Sequence, residues 1–240
     1  MGKNETLVQK FFEILKSAKP EDIEESIAEA KRKLAEAAKR STKESLGKLF
    51  DTYLETLKDR GCPQTILEAF QEQKGGVIAK ALLEMDIPEG NIAFLPVIPK
   101  SYGSSHFQML MVRNGNQVGY MGYTYLDPNQ ITDVVQTPNV PYFIFNVEDG
   151  DDMRGKAPQD AEKLIEKQNR RGLTDTEVIA LGIHTDVLKN HFVDAVGSRY
   201  YRRYESGNVP SLCLLDGGPE LGWGRLDVAD SDWGAASCGK

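Results

Sequence analysis

The chain has few of the features that mark the most readily recognised classes of protein. Cysteine occurs three times in 240 residues and never in C-x-x-C spacing, which argues against a disulfide-stapled secreted domain. No run of about 18 apolar residues occurs, and residues 1–16 interrupt their apolar stretch with charged side chains. The sequence therefore predicts no transmembrane helix, no signal peptide and no membrane partner, and we expect a soluble cytoplasmic protein.

The chain also has fewer basic than acidic side chains. Lys and Arg total 29 against 36 Asp and Glu, which gives a net charge of -7 and a sequence pI of about 5.2. Basic and acidic side chains balance over residues 1–75, so the excess acid falls in residues 76–240. This balance excludes broad electrostatic binding of nucleic acid or of anionic membrane, although a local basic site is compatible with it.

Histidine and the common cofactor motifs are scarce or missing. The chain has no G-x-x-x-x-G-K-[ST], no G-x-G-x-x-G after a strand, no G-x-S-x-G and no H-E-x-x-H, which disfavours a P-loop, a Rossmann domain and an α/β-hydrolase. His106 lies far from His184 and His191, so a zinc site would need carboxylate or thiolate ligands. The sequence predicts no cofactor and no metal site.

Residues 1–75 show the apolar spacing of amphipathic helices, with apolar side chains recurring every three or four positions. We predict three helices, the third opened by Ser41 with Glu44 in capping-box spacing. A fourth, short helix is predicted over 64–73, ended by the pair Gly75 and Gly76. This region is interpreted as a helical bundle.

Residues 76–240 are predicted to form a second domain, in which the apolar spacing changes to that of strands from about Asn91. The runs 106–112 and 117–125 flank Asn114-Gly115 and predict a β-hairpin. Residues 141–147 predict a buried strand, and residues 209–215 and 220–225 predict a second hairpin. Two helices are expected between them, over 158–169 and after Thr174, which has capping-box spacing to Glu177. The predicted fold class is α+β, with a mixed, mostly antiparallel sheet.

Gly, Trp and Arg concentrate in the C-terminal part of the chain and favour a binding site there. These residue types allow close backbone approach, ring stacking and bidentate contact with anions. The leading hypothesis is a site for a small anionic ligand or a protein partner, formed by Ser198, Arg199, Trp223, Trp233 and Ser237, with Cys238 beside them.

Two alternatives stay open. In the first, Cys238 is the nucleophile and His191 the base of a transferase or hydrolase, which requires the two side chains to meet in the fold. In the second, the helices of residues 1–75 mediate oligomerisation or docking of a partner. The sequence does not decide whether the protein is an enzyme.

Six segments taken together resemble an uncharacterised bacterial domain-of-unknown-function family, known mainly from actinobacterial proteins. The resemblance covers about residues 85–239 and rests on the segments 141–150, 172–177, 197–199, 209–212, 219–223 and 233–239. It implies one ancestral domain, but no assigned activity and no catalytic residues. Where that family reads Trp-Cys-Trp, this chain has Trp223-Gly224-Arg225, which weakens any mechanism that needs two thiols.

Overall fold

The computed structural model describes residues 20–84, 87–88, 90–122, 128–202 and 205–240. Contacts within the chain divide it into two units, Met1–Leu46 and Gly47–Lys240. The first helix predicted from the sequence lies outside the described residues. All of the candidate sites belong to the second unit, which also takes in residues 47–75 that the sequence grouped with the N-terminal helices.

Helix α1 spans Pro20–Asp59 without interruption, so the prediction of separate second and third helices is wrong. Ser41 and Glu44 lie inside α1 rather than at a helix start. Ala, Lys, Arg, Glu and Leu dominate the residues around them, and these strong helix formers carry the helix through a motif that caps only a free end. The helix stops at Gly61, whose φ of 86° is accessible mainly to glycine.

Two short helices follow. Helix α2 spans Gln64–Gln71, as predicted, and buries Ile66, Leu67 and Phe70. Helix α3 spans Lys74–Leu83, which corrects the prediction that the glycine pair ends the helical region. Gly75 and Gly76 occupy the first turn of α3, where backbone N–H groups have no partner within the helix in any case.

An aromatic cluster joins these helices to a two-stranded sheet. Strand β1 (Ile92–Val97) pairs antiparallel with β6 (Tyr142–Val147), which confirms the predicted strand over 141–147. Phe50 of α1 is fully buried and stacks on Phe143 at 5.3 Å between ring centroids. Tyr53 meets Phe94 edge-on at 5.9 Å. Residues 47–59 are therefore part of this core.

The first predicted hairpin is much shorter than expected. Residues Ser105–Met109 form helix α4, capped by the Ser104 hydroxyl, which accepts from the Phe107 N–H. Among the described residues of the two runs, only β2 (Arg113–Asn114) and β3 (Gln117–Val118) pair with each other, and the turn places Gly115 at a φ of 55°. Residues 123–125 of the predicted second strand lie outside the described residues. The local helix cap thus replaces the first half of the strand that the alternation of residues 106–112 predicted.

The main sheet has mixed strand directions, in keeping with the predicted α+β class. Its order is β12–β8–β10–β11–β4, with β9 paired to β10 and to β5. The pairs β12–β8 and β11–β4 are parallel and the others antiparallel. The strands are β4 Tyr120–Met121, β5 Ile131–Asp133, β8 Phe192–Asp194, β9 Ser198–Arg202, β10 Glu205–Leu215, β11 Gly218–Arg225 and β12 Trp233–Ala235. The antiparallel β10–β11 pair confirms the second predicted hairpin.

The predicted helices that accompany this sheet are also present. Helix α5 spans Pro158–Lys167, and α6 spans Asp175–His184 behind the predicted Thr174–Glu177 capping box. Strand β7 (Arg170–Gly172) pairs antiparallel with β13 (Ser237–Gly239). Among the residues that the structure describes, no helix is long and apolar enough to cross a membrane.

Candidate functional site: an acidic cleft

A cleft of about 640 Å³ opens where the chain leaves β6. The loop Glu148–Asp149–Gly150 and the 3₁₀ turn Asp151–Met153 form one wall. The opposite wall comes from the segment before β8. The lining residues are Gly90, Asn91, Glu148, Asp149, Asp151, Asp152, Arg154, Lys189, Asn190 and His191.

Close packing between two glycines fixes the loop. Gly150 has a φ of 110°, and Gly234 lies so close that a Cβ added to it would sit 2.0 Å from the Gly150 carbonyl oxygen. The Gly155 N–H donates to the Trp233 carbonyl at 3.1 Å. Residues around Trp233 and Gly234, which belong to the segment carrying the family resemblance, therefore hold the cleft loop in place.

Backbone pairing with Ser237, the first residue of β13, places Glu148. The Glu148 N–H donates to the Ser237 carbonyl at 2.9 Å, and the Ser237 N–H returns a bond to the Glu148 carbonyl at 3.0 Å. The Glu148 side chain turns toward its own loop, where Oε1 accepts from the N–H groups of Gly150 and Asp152 at 2.9 and 3.2 Å.

The second carboxylate oxygen of Glu148 has no partner. Glu148 is only 9 % exposed, and its Oε2 is buried without a hydrogen bond to any described residue. Burial raises the pKa of this carboxyl, and the two backbone N–H donors offset part of that rise. A buried acceptor without a donor costs about 1–3 kcal/mol of free energy, so it is a feature that a folded protein retains for a reason.

His191, which lines the same cleft, carries a second buried side-chain atom without a partner in the described chain. The residue is 3 % exposed, and its Nε2 lies 3.2 Å from the Asp149 carbonyl oxygen. Because a carbonyl oxygen only accepts, Nε2 is the donor of this contact, and in the neutral form of the ring Nδ1 then keeps its lone pair and is an acceptor. Nδ1 is buried without a hydrogen-bond partner in the described chain, 4.0 Å from Asp151 Oδ1.

The charge of the cleft is predominantly negative. Four carboxylates line it, against the basic side chains of Arg154 and Lys189. Arg154 already contacts Asp151 and donates to the Ser231 carbonyl, while Lys189 pairs with Asp186. The described residues contain no group of three His, Cys, Asp or Glu side chains placed to hold a metal ion. The arrangement suits an organic group that donates hydrogen bonds and carries positive charge.

The structure places Ser198 and Arg199 in internal networks. Ser198 Oγ accepts from the Asp175 N–H and donates to Asp133 at 2.7 Å. The Arg199 guanidinium binds both oxygens of Glu162, at 2.7 and 2.6 Å. Its charge is therefore matched by a carboxylate of the protein, which reduces its value as an anion-binding group.

The two tryptophans and Ser237 occupy different surroundings. Trp223 lines a cavity beside β10 and β11, distinct from the cleft. Trp233 packs edge-on against Phe192 at 5.1 Å. Ser237 accepts from Arg170 Nε at 2.9 Å and is buried. Of the predicted residues, His191 lines the cleft directly, while Trp233 and Ser237 support it through their backbones.

Cys238 lies in β13 opposite Arg171 of β7 and is 1 % exposed. Burial raises the pKa of its thiol to about 12, against the lowering effect of Arg171. In the described part of the chain, no hydrogen bond or ion pair joins it to His191, whose ring contacts Asp149 instead. Basic side chains lie near the thiol, but its burial removes the solvent access that a reactive thiolate needs.

Glu148 is the buried carboxylate of the cleft, and the sequence analysis did not single it out. The run Val147-Glu148-Asp149-Gly150 contains a signal, because a strand that ends in acidic residues before a glycine in the left-handed region forms a sharp turn. The pattern does not reveal which of the neighbouring carboxylates becomes buried, since that depends on pairing with Ser237, far along the chain.

Comparison with known proteins finds a family match over most of the chain. A family model described as a family of unknown function (DUF5701) matches residues 56–239 of the chain. The match includes the cleft, the main sheet and the β7–β13 pair. No curated protein and no solved structure matches the chain.

Proposed function

The chain belongs to the DUF5701 family, whose function is unknown, and we propose from the geometry of the cleft that it binds a small organic cation there. The single observation that carries the proposal is a pair of buried acceptors, Glu148 Oε2 and His191 Nδ1, that lack donors in the described chain and belong to residues lining one acidic cleft.

A ligand with at least two N–H donors would complete both acceptors. A protonated primary amine, an amidinium or a guanidinium supplies such donors together with a positive charge. The surrounding carboxylates of Asp149, Asp151 and Asp152 add a favourable field. Each acceptor atom is covered by its neighbours, so a side-chain rotation has to accompany binding.

This proposal replaces the anionic ligand expected from the sequence with a cationic one. The anionic ligand depended on Arg199, whose guanidinium is engaged by Glu162. A cleft of about 640 Å³ lies within the range of small-molecule sites, about 300–1,000 Å³. Binding rather than catalysis is proposed, because the two acceptors are groups that hold a donor and no activated nucleophile lies among the lining residues.

Titration calorimetry with putrescine, agmatine and arginine tests the proposal, with glutarate as a dianion of length similar to putrescine. We expect saturable binding of at least one cation and none of glutarate. Glu148→Gln replaces an acceptor with a donor of the same shape and should weaken cation binding at least about tenfold. Glu166→Gln, the same change at an exposed position of α5, should leave binding unchanged.

Two results would overturn the proposal: glutarate binding as tightly as putrescine, or Glu148→Gln binding cations as wild type does. If Glu148→Gln does not fold, Asp151→Asn provides a second test, because Asp151 lines the cleft and its side chain is 67 % exposed. That variant should also bind the cation more weakly.

A further inference from the structure

A second cavity, of about 520 Å³, lies beside the β10–β11 hairpin and the start of α5. Its lining residues are Gln159, Gly207, Asn208, Trp223, Arg225, Leu226 and Asp227. None of them lines the acidic cleft. The cavity volume falls in the range of small-molecule sites.

Backbone contacts fix the walls of this cavity. The Leu226 N–H donates to the Gly207 carbonyl at 2.9 Å, and the Gln159 N–H donates to the Leu226 carbonyl at 3.0 Å. Gly207 has a φ of 100°, and an added Cβ would lie 3.0 Å from Leu226 Cδ1. Glycine therefore allows the chain to turn just before Asn208, at the point where the register between β9 and β10 shifts.

Asn208 supplies the observation that points to a ligand. It is 3 % exposed, and its side-chain Nδ2 is buried with no hydrogen-bond partner among the described residues. The residue lies at the centre of the sheet, opposite Arg225 on one side and Tyr200 on the other. A buried amide donor left without an acceptor destabilises the folded chain, and an acceptor brought by a ligand would remove that cost.

The other lining groups indicate the shape and the chemical groups of such a ligand. Trp223 contributes a half-buried indole, 6.3 Å from the Tyr200 ring between centroids. Arg225 and Asp227 form an exposed ion pair with bonds of 3.0 and 2.9 Å at the rim. An aromatic wall, a buried amide donor and a polar rim suit a flat ring that carries an acceptor oxygen.

We propose that this cavity is a binding site for a planar aromatic or heteroaromatic ligand bearing a carbonyl or carboxylate oxygen. The oxygen accepts from Asn208 Nδ2, and the ring packs against Trp223. The site retains Trp223 from the residues that the sequence singled out, and it adds Asn208 as the group that selects the ligand. It is independent of the cation proposed for the acidic cleft.

The experiment uses the full chain with Trp233→Phe, which leaves Trp223 as the sole tryptophan. Benzamide and benzoate are titrated while Trp223 fluorescence is recorded, and benzylamine serves as a ring of similar size that lacks an acceptor oxygen. We expect a saturable change with benzamide or benzoate at up to about 10 mM, the range of weak fragment binding, and none with benzylamine.

The variants Asn208→Ala and Asn208→Asp, in the same background, should weaken binding at least about tenfold. The matched control is Asn139→Asp, an exposed asparagine, which should bind as the background chain does. If the Asn208 variants fail to fold, the nitrogen-15 spectrum of the wild-type chain replaces them, with side-chain amide signals assigned from backbone-linked experiments. The Asn208 amide pair should then shift on addition of benzamide.

The proposal is overturned if neither probe gives a saturable change, if benzylamine matches benzamide, or if the Asn208 signals stay fixed while Trp223 responds. Binding of benzylamine at the acidic cleft alone, detected by its loss in Glu148→Gln, would support the cation proposal and leave this cavity without a ligand. Failure of one proposal is therefore distinguishable from failure of the other.

Discussion

His184 ends α6 in surroundings that disfavour its charged form. Both ring nitrogens are buried without a partner in the described chain, and the ring lies 4.6 Å from that of Tyr53. Burial, followed by the nearby Arg60 guanidinium, lowers the pKa of His184 to about 3. The unfolded chain takes up a proton near the ordinary pKa of about 6.5, while the folded chain does not until much lower pH.

Stability should therefore fall as the pH drops below about 6.5 and continue to fall toward pH 3. We expect a loss of about 1–2 kcal/mol between pH 6.5 and pH 5 from this residue. His184→Leu should remove that part of the pH dependence in urea unfolding curves. His106→Leu is the control, because His106 is exposed; an equal effect of the two variants would contradict the prediction.

The three cysteines all have raised pKa values. Burial raises the pKa of Cys62 to about 11 and those of Cys213 and Cys238 to about 12. Alkylation of the folded chain at pH 8, followed by peptide mass, should label Cys238 far more slowly than after unfolding in urea. An apparent pKa below about 8.5 for Cys238 would instead restore the nucleophile hypothesis.

At the level of elements, the contact between Gly150 and Gly234 fixes the cleft loop, and position 234 should tolerate no side chain. Gly234→Ala would place a Cβ 2.0 Å from the Gly150 carbonyl oxygen, so the two segments have to move apart. We expect a loss of about 1–3 kcal/mol in the free energy of unfolding, as for other overpacked sites, together with weaker cation binding.

Gly75→Ala is the matched control for that change. Gly75 lies in the first turn of α3, and an added Cβ has open space around it. This variant should be neutral or more stable by up to about 1 kcal/mol, because alanine favours the helix. Chemical unfolding of both variants measures the difference, and equal stabilities would show that the Gly150–Gly234 contact relaxes freely.

The start of α6 shows which contacts can be predicted from neighbouring residues and which cannot. The spacing of Thr174 and Glu177 predicts a capping box, and the structure has it, with Glu177 Oε2 accepting from the Thr174 N–H at 2.8 Å. The same carboxylate also binds Arg171 through both oxygens and accepts from the Tyr142 hydroxyl. The cap was predictable because its two residues lie three positions apart. The contact with Tyr142 was not predictable, because Tyr142 lies in β6, far from Glu177 in the sequence.

The elements that were predicted incorrectly have the same explanation. Ser41 with Glu44 resembles a helix start, yet α1 continues through it because nothing there interrupts the helix. Asn114-Gly115 does mark a turn, but its hairpin stays short because Ser104 caps a helix over the preceding residues. Local motifs identify what a segment can do, and competition with neighbouring segments decides what it does.

For the whole molecule, the second unit should fold without the first. Residues 47–240 keep Phe50 and Tyr53, which contact Phe143 and Phe94. We expect this fragment to melt cooperatively near the temperature of the full chain. A fragment of residues 76–240 loses that aromatic layer and should melt markedly lower or not fold; equal melting of the two fragments would contradict the prediction.

A role of the N-terminal helices in oligomerisation stays a prediction, and the same fragment tests it. The mass in solution of the full chain is compared with that of residues 47–240 by light scattering. A smaller oligomer for the fragment would support the role, and the same oligomeric state for both would remove it for residues 1–46.

The α+β class, strands β6, β10 and β11 and helices α5 and α6 were predictable, because the alternation of apolar residues, the turn signals and the caps act over short distances. The candidate sites were not, since each depends on a polar atom that lost its partner during folding. Glu148 and Asn208 look ordinary in the sequence, and only the pairing of distant strands leaves Oε2 and Nδ2 without hydrogen bonds.

The pairing of Glu148 with Ser237 also has a consequence for the order of events during synthesis. Residues 148–153 leave the ribosome well before residues 234–237, so the cleft wall lacks its glycine neighbour and its backbone partner while the chain is still growing. Earlier elements are free to form during that interval. The cation site proposed above would therefore be complete only on a chain translated through Ser237.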